Sequence, residues 1–127
     1  MTEAKVSAED LGDAIMEALE EYKDLAASEL KEAVADAAKG VRDQIKDTAP
    51  RKTGKYAKSW RDRKTKETAD SVEYTVYSPS RYRIAHLLEN GHATRNGGRV
   101  AGRPHIKPAE EEGERKLMAD IQRRLGK

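Results

Sequence analysis

The sequence predicts an α+β fold: a long N-terminal amphipathic helix, a small antiparallel β-sheet, a short middle helix and a C-terminal helix. Three observations predict it. Apolar residues recur at three- and four-residue steps through the first third of the chain. A two-residue alternation follows at Val72, Tyr74 and Val76, and helical spacing returns at Leu117, Ile121 and Leu125. The 127 residues, with one Trp, five Tyr and no Phe, suit a single domain over 1–127 with a modest core.

The first element is expected over residues 6–47. Leu11, Ile15, Leu19, Tyr22, Ala26, Leu30, Ala33, Ala37, Val41 and Ile45 form its apolar stripe, with Glu, Asp and Lys between them. Ser7 with Asp10 three residues on resembles a capping box, and Ala49-Pro50 forces the stop. A continuous helix of that length would reach about 60 Å at ~1.5 Å per residue, longer than so small a domain is wide. Either Gly40 interrupts it or it packs on neighbouring subunits.

The remainder, 48–127, is expected to form the α+β core. Tyr56 to Lys66 and Ser71 to Ser78 read as two antiparallel strands joined at Thr68-Ala69-Asp70-Ser71. Ser78-Pro79 leads into a helix over Arg81 to Asn90, closed at Gly91, where glycine readily takes a left-handed conformation. Residues 92–103 combine Gly97, Gly98 and Gly102 with Arg95, Arg99 and Arg103 and no acidic residue, which reads as a mobile basic loop. His105-Ile106 is a short extended piece. Pro108 then suits the first turn of the closing helix, Glu110 to Glu114 its positive end, Arg123 and Arg124 its negative end, and Gly126 its stop.

Composition narrows the function classes. Charged residues are 38% of the chain and hydrophobic ones 36%, so much of the surface must stay wet or bind partners. No apolar run approaches the roughly twenty residues that span a bilayer, and no apolar leader follows the N-terminus; a soluble protein made in the cytoplasm is expected. Without cysteine there is neither a disulfide nor a thiolate metal site. The net charge of +2 hides strong polarity: residues 1–38 hold 3 basic against 11 acidic residues, 39–70 hold 11 against 5, and 81–107 hold 6 against 1. Such a split favours head-to-tail contacts between copies, or an anionic partner on the basic side.

Candidate chemical sites are weak. His86, His92 and His105, with Glu89, match no metal-ligand spacing, and no nucleophile or second carboxylate accompanies Glu89 as a general base. "NGGRVAG" lacks the Lys-Ser/Thr and the strand-to-helix setting of a phosphate cradle. Arg51, Lys52, Lys55, Lys58, Arg61, Arg63 and Lys64, interleaved with Tyr56 and Trp60, read either as a grip for nucleic-acid phosphates and bases or as a charged edge strand. Neither an enzyme nor a cofactor-binding protein is expected.

Two separated motifs carry a family resemblance. "TAPRKTGKYAKSW", Thr48 to Trp60, resembles an A-P-x-x-T-G-x-hydrophobic-x-x-S signature, and "YRIAHLLENGHATRNGGRVAGRPHIKPAEE", Tyr82 to Glu111, resembles a later one: a Tyr-containing segment, a Glu-x-Gly turn, a variable basic loop, then R-P-hydrophobic-x-P-A. Both, in this order, are similar to the tail-component family of gene-ten type in lambdoid siphophages. Tyr56 stands where an aliphatic residue is common, and His92 where Thr is common. The resemblance implies a structural virion protein of the head-to-tail joining region, a neck or tail-completion component assembled as a ring. Its partners would be further copies of itself, adjacent head-completion and tail proteins and, if the basic loop faces the channel, DNA; no membrane is involved. It further implies architectural roles for Pro50, Thr53, Gly54, Ser59, Glu89, Gly91, Pro104 and Pro108, and a partner-docking role for Arg95, Arg99 and Arg103. The alternative is a sequence-independent nucleic-acid-binding protein.

Overall fold

Residues 2–6, 14–18, 26–50 and 54–126 are described by a computed structural model, and the α+β class is as expected. In chain order the elements are β1 (Thr2–Val6), β2 (Ala14–Ala18), α1 (Ala27–Thr48), α2 (Lys55–Lys58), β3 (Arg61–Glu67), β4 (Val72–Tyr77), α3 (Tyr82–Asn90), β5 (Gly91–Ala93), β6 (Arg99–Ala101) and α4 (Ile106–Arg124). The first four strands make an antiparallel sheet in the order β1-β2-β4-β3, and β5 and β6 pair as a separate hairpin.

The alternation in β4 follows the sequence: Val72 and Val76 are buried and Tyr74 packs half-buried against the core with them, while Glu73, Thr75 and Tyr77 on the other face are half-buried. Above the sheet, α1 buries Leu30, Val34, Ala38, Val41 and Ile45, and α4 buries Ala109, Gly113, Leu117 and Ile121 at a four-residue repeat. The two helices pack on each other, α1 also lies against β4, and α4 against β1. Each fully buried Leu, Ile or Val contributes about 1.5–3 kcal/mol, so this two-layer contact is the main source of stability.

Electrostatic pairs tie the layers together. Arg124, near the C-terminus of α4, reaches Glu32 at 3.3 Å, Asp36 at 3.6 Å and Glu29 at 4.0 Å, all in the first half of α1, so the helices run antiparallel. Lys31 bonds Glu67 at 2.9 Å and the Thr68 carbonyl at 2.6 Å, holding α1 to the β3–β4 turn. Arg42 pairs with Asp62 on β3.

The N-terminal helix expected over 6–47 is corrected. It begins at Ala27 and spans 22 residues, while Ala14–Ala18 forms a strand between β1 and β4. Ala14-Ile15-Met16-Glu17-Ala18 is a short apolar run whose period does not distinguish helix from strand, and pairing with β4, Ile15 opposite Thr75, decides it. The helix is about 33 Å long at ~1.5 Å per residue, so the excess length disappears. Gly40 sits unbroken inside it, exposed, with open space where a Cβ would be. Ser7, Asp10, Leu11, Leu19 and Tyr22 lie outside the described residues.

The strand expected from Tyr56 starts later, at Arg61. Tyr56, Ala57 and Trp60 are all buried, a spacing of one and four that a helical turn satisfies and an alternating strand does not. β3 is an edge strand rich in Arg and Lys, with a bulge between Lys64 and Lys66. Charge and a bulge both discourage edge-to-edge pairing, the role weighed for it against nucleic-acid binding.

Candidate docking site at the hairpin

The second motif forms one continuous device around Glu89. At the N-terminus of any helix the first backbone N–H groups have no intrahelical acceptor. In α4 the N–H groups of His105 and Ile106 donate to Glu89 Oε1 at 2.7 and 2.8 Å, and that of Lys107 donates to Oε2 at 3.0 Å. Pro108, the next residue, has no N–H to satisfy. The helix cap therefore comes from a carboxylate 16 to 18 residues earlier, on the last turn of α3, and its negative charge also suits the positive end of the helix dipole.

His105 completes the anchor from below. Its ring is fully buried, with Nδ1 2.7 Å from the Arg103 carbonyl and 3.1 Å from Glu89 Oε1, and Nε2 2.7 Å from the Tyr56 hydroxyl. A carbonyl only accepts, so Nδ1 carries a proton. Burial pushes the Tyr56 hydroxyl well above its ordinary range, so it stays protonated beside Nε2. Tyr56 also meets Trp60 edge-on, with ring centroids 6.0 Å apart. The first motif thus supports the second through the core.

Two glycines let the hairpin leave this anchor. Gly91 has φ +82°, and a Cβ on it would sit 2.4 Å from the Val100 carbonyl oxygen; a Cβ on Gly102 would sit 2.4 Å from the Asn90 carbonyl carbon. The two backbones cross where only hydrogen fits. Arg103 N–H donates to Leu88 O at 2.8 Å, closing the crossing. Gly102 was read from sequence only as one of several loop glycines.

The stretch 92–103, expected as an irregular loop, is corrected to a hairpin. Gly91 pairs with Ala101, His92 with Val100 and Ala93 with Arg99. Thr94 N–H donates to Gly98 O at 2.9 Å, and Gly98 N–H to Thr94 Oγ1 at 3.1 Å, so local hydrogen bonds shape the tip that the glycines suggested would be unstructured. Arg95, Arg99 and Arg103 are all exposed, and Arg99 reaches back to Asn90 O at 3.0 Å. Arg81 and Arg83, at the start of α3, are exposed too. None of these five pairs with a carboxylate among the described residues. Tyr82, Ile84 and Val100 are the large apolar side chains exposed on the same unit, at 44%, 37% and 47%.

The remaining motif residues lie along the path between the two motifs. Ala49 caps α1 in an extended conformation, as its position before Pro50 requires, and Gly54 has φ +79° ahead of α2. Thr53, like Arg51 and Lys52, lies outside the described residues. Ser59 Oγ bonds Ser78 Oγ at 2.6 Å in the buried interior, and Ser78 Oγ accepts Arg81 N–H at 3.2 Å where α3 starts. Pro104 and Pro108 are exposed on either side of His105 and Ile106. Of the histidines raised as metal ligands, only His105 meets Glu89, and both its nitrogens are engaged; among the described residues no three His, Asp or Glu side chains converge as a metal site requires. A groove of about 170 Å³ between α1 and α4, lined by Ala33, Ala37, Gly40, Gly113 and Leu117, includes no residue of either motif.

These features define a class: a small two-layer α+β protein whose marked residues brace a projecting basic hairpin. The chain matches, over residues 13–91, the family described as "Bacteriophage HK97-gp10, putative tail-component", and it belongs to that family. It is a phage tail component. The match takes in the whole Thr48 to Trp60 motif and the second motif as far as Gly91, so the hairpin beyond that glycine, Pro104 and Pro108 stand on the geometry alone. No significant match was found among curated proteins or solved structures. Among the described residues no helix is long and apolar enough to cross a membrane.

Proposed function

We propose that the protein is a structural component of the head-to-tail joining region, a neck or tail-completion protein that assembles as a ring and carries no catalytic role. The supporting observation is the α3–hairpin unit: it is braced at its base, exposes five arginines without carboxylate partners among the described residues, and also exposes Tyr82, Ile84 and Val100. Such a surface suits docking, with Arg95, Arg99 and Arg103 steering and registering the partner. Pro50, Thr53, Gly54, Ser59, Glu89, Gly91, Pro104 and Pro108 are architectural in this reading. The partners are further copies and the adjacent virion proteins, and the protein is made in the host cytoplasm before joining the virion.

The test is electron microscopy of the purified protein and of particles formed without it. Rings in the first and unjoined heads and tails in the second are expected. Normally joined particles lacking the protein would overturn the proposal. The nucleic-acid reading rests on the same arginines and on β3. It requires duplex binding whose log K falls with log salt in proportion to the phosphates contacted.

A further inference from the structure

The charge split that favours head-to-tail contacts places eleven acidic residues in 1–38. Three of them lie in the described part of α1, and these are paired within the chain. Glu29, Glu32 and Asp36 converge on Arg124, whose side chain is only 10% exposed. Among the other described carboxylates, Asp43 and Asp62 meet Arg42, Glu67 meets Lys31 and Lys64, Glu112 meets Arg115, and Asp120 meets Arg123 and Arg124.

One cluster has no such partner. Glu110, Glu111 and Glu114 share adjacent stripes of α4 at spacings of three and four, where like charges repel, and none has a cation within 4 Å among the described residues. Burial, followed by Glu114 and Glu111, holds the Glu110 carboxyl above its usual range, and Lys107 only partly offsets this. A chain that pairs its other helical acids so thoroughly leaves this stripe short of positive charge and the α3–hairpin unit short of negative charge.

We propose that the docking surface formed by α3 and the hairpin receives a second copy of this chain, through the Glu110, Glu111 and Glu114 stripe of that copy's α4. Arg95, Arg99 and Arg103 face the glutamates. The inference deepens the ring reading and rests on it, since a patch meeting a different patch on the next copy propagates until it closes.

Three proteins decide it by sedimentation velocity at low and high salt: wild type, a hairpin reversal (Arg95→Glu, Arg99→Glu, Arg103→Glu) and a helix reversal (Glu110→Lys, Glu111→Lys, Glu114→Lys). Wild type should associate, and less so as salt shortens the Debye length. Each reversal should weaken association by roughly tenfold or more, and an equimolar mixture of the two should restore it, because each carries the complement of the other. Restoration also shows that both variants fold. Wild type that associates while the helix reversal leaves it unchanged overturns this contact but not the ring. Wild type that stays monomeric at all concentrations overturns both. A hairpin reversal that abolishes duplex DNA binding without affecting self-association assigns the arginines to nucleic acid and overturns the proposal.

Discussion

Replacing Glu89 with Ala should uncouple α3 from α4. The substitution leaves three backbone donors without their acceptor, two of them, on His105 and Ile106, in partly buried surroundings. Losing a helix cap costs about 1 kcal/mol, and each buried donor left unsatisfied adds roughly another 1 kcal/mol, so about 2 to 3 kcal/mol is expected in all. For a chain of this size that lowers Tm by roughly 6 to 15 °C. Glu89→Gln separates charge from geometry. Its amide oxygen keeps the His105 and Ile106 bonds while the NH2 group faces the exposed Lys107 N–H, so a loss nearer 1 kcal/mol is expected. Thermal and urea unfolding followed by circular dichroism measure both. An Ala variant within about 0.5 kcal/mol of wild type would refute the capping role, placing Glu89 among ordinary surface residues.

Gly102→Ala should cost more than Gly54→Ala, because a Cβ at Gly102 meets backbone at 2.4 Å whereas at Gly54 it meets nothing within 4 Å and only the positive φ resists; chemical denaturation of the two ranks them, with roughly 1 to 2 kcal/mol expected for Gly54. Tyr56→Phe removes the buried partner of His105 Nε2 and should destabilise by about 1 to 3 kcal/mol, measured by the same unfolding assay. Glu110 has a raised folded value, so its contribution to stability is present below the usual carboxylate value and is lost as pH rises through the folded one; Glu110→Gln should therefore melt above wild type at pH 7, with the difference vanishing below about pH 4. In hydrogen exchange the Arg103 amide, bonded to Leu88 O, should be slower than the exposed amide of Arg95 at the hairpin tip; equal rates would mean that the hairpin base is open.

What the sequence made legible were the elements with one dominant period. β4, α3 and α4 lie within a residue or two of their expected bounds, because Val72-Val76 alternation and the Leu117-Ile121 repeat each point to one structure. The N-terminal region was misread for the opposite reason. Its apolar spacing continued a helix pattern smoothly, and nothing local announced that β4 would need a partner on its inner side, which β2 supplies. The motif residues were recognisable, but their work was not. Glu89 reads as a carboxylate with no catalytic companion until α4 is seen to begin beside it, and Tyr56 and His105 are 49 residues apart in sequence while 2.7 Å apart in the fold. A composition signal did exist for the hairpin crossing: Gly91 and Gly102 bracket the basic stretch symmetrically. A reading that weighed glycines by position rather than number would have found it.

The change from loop to hairpin alters how the proposed docking would work. A free arm loses conformational entropy when it binds, about 1 to 2 kcal/mol for each residue fixed, and such a cost over a dozen residues would offset much of what three arginines and one valine provide. Here the ladder from Gly91 to Ala101, the Arg103 to Leu88 bond and the glycine crossing have already fixed the backbone, and folding of the core has met that cost. Only the arginine side chains remain to be ordered at contact. The brace also makes the hairpin's direction a property of the fold: Glu89 holds α4, His105 holds Arg103, and Tyr56 holds His105, so the arginines keep a set position relative to the helix that bears Glu110, Glu111 and Glu114. In the proposed ring, that fixed angle between the two surfaces would determine whether successive contacts close. In that proposal the motif residues would serve assembly from within the fold, by setting geometry, while the arginines would act at the surface.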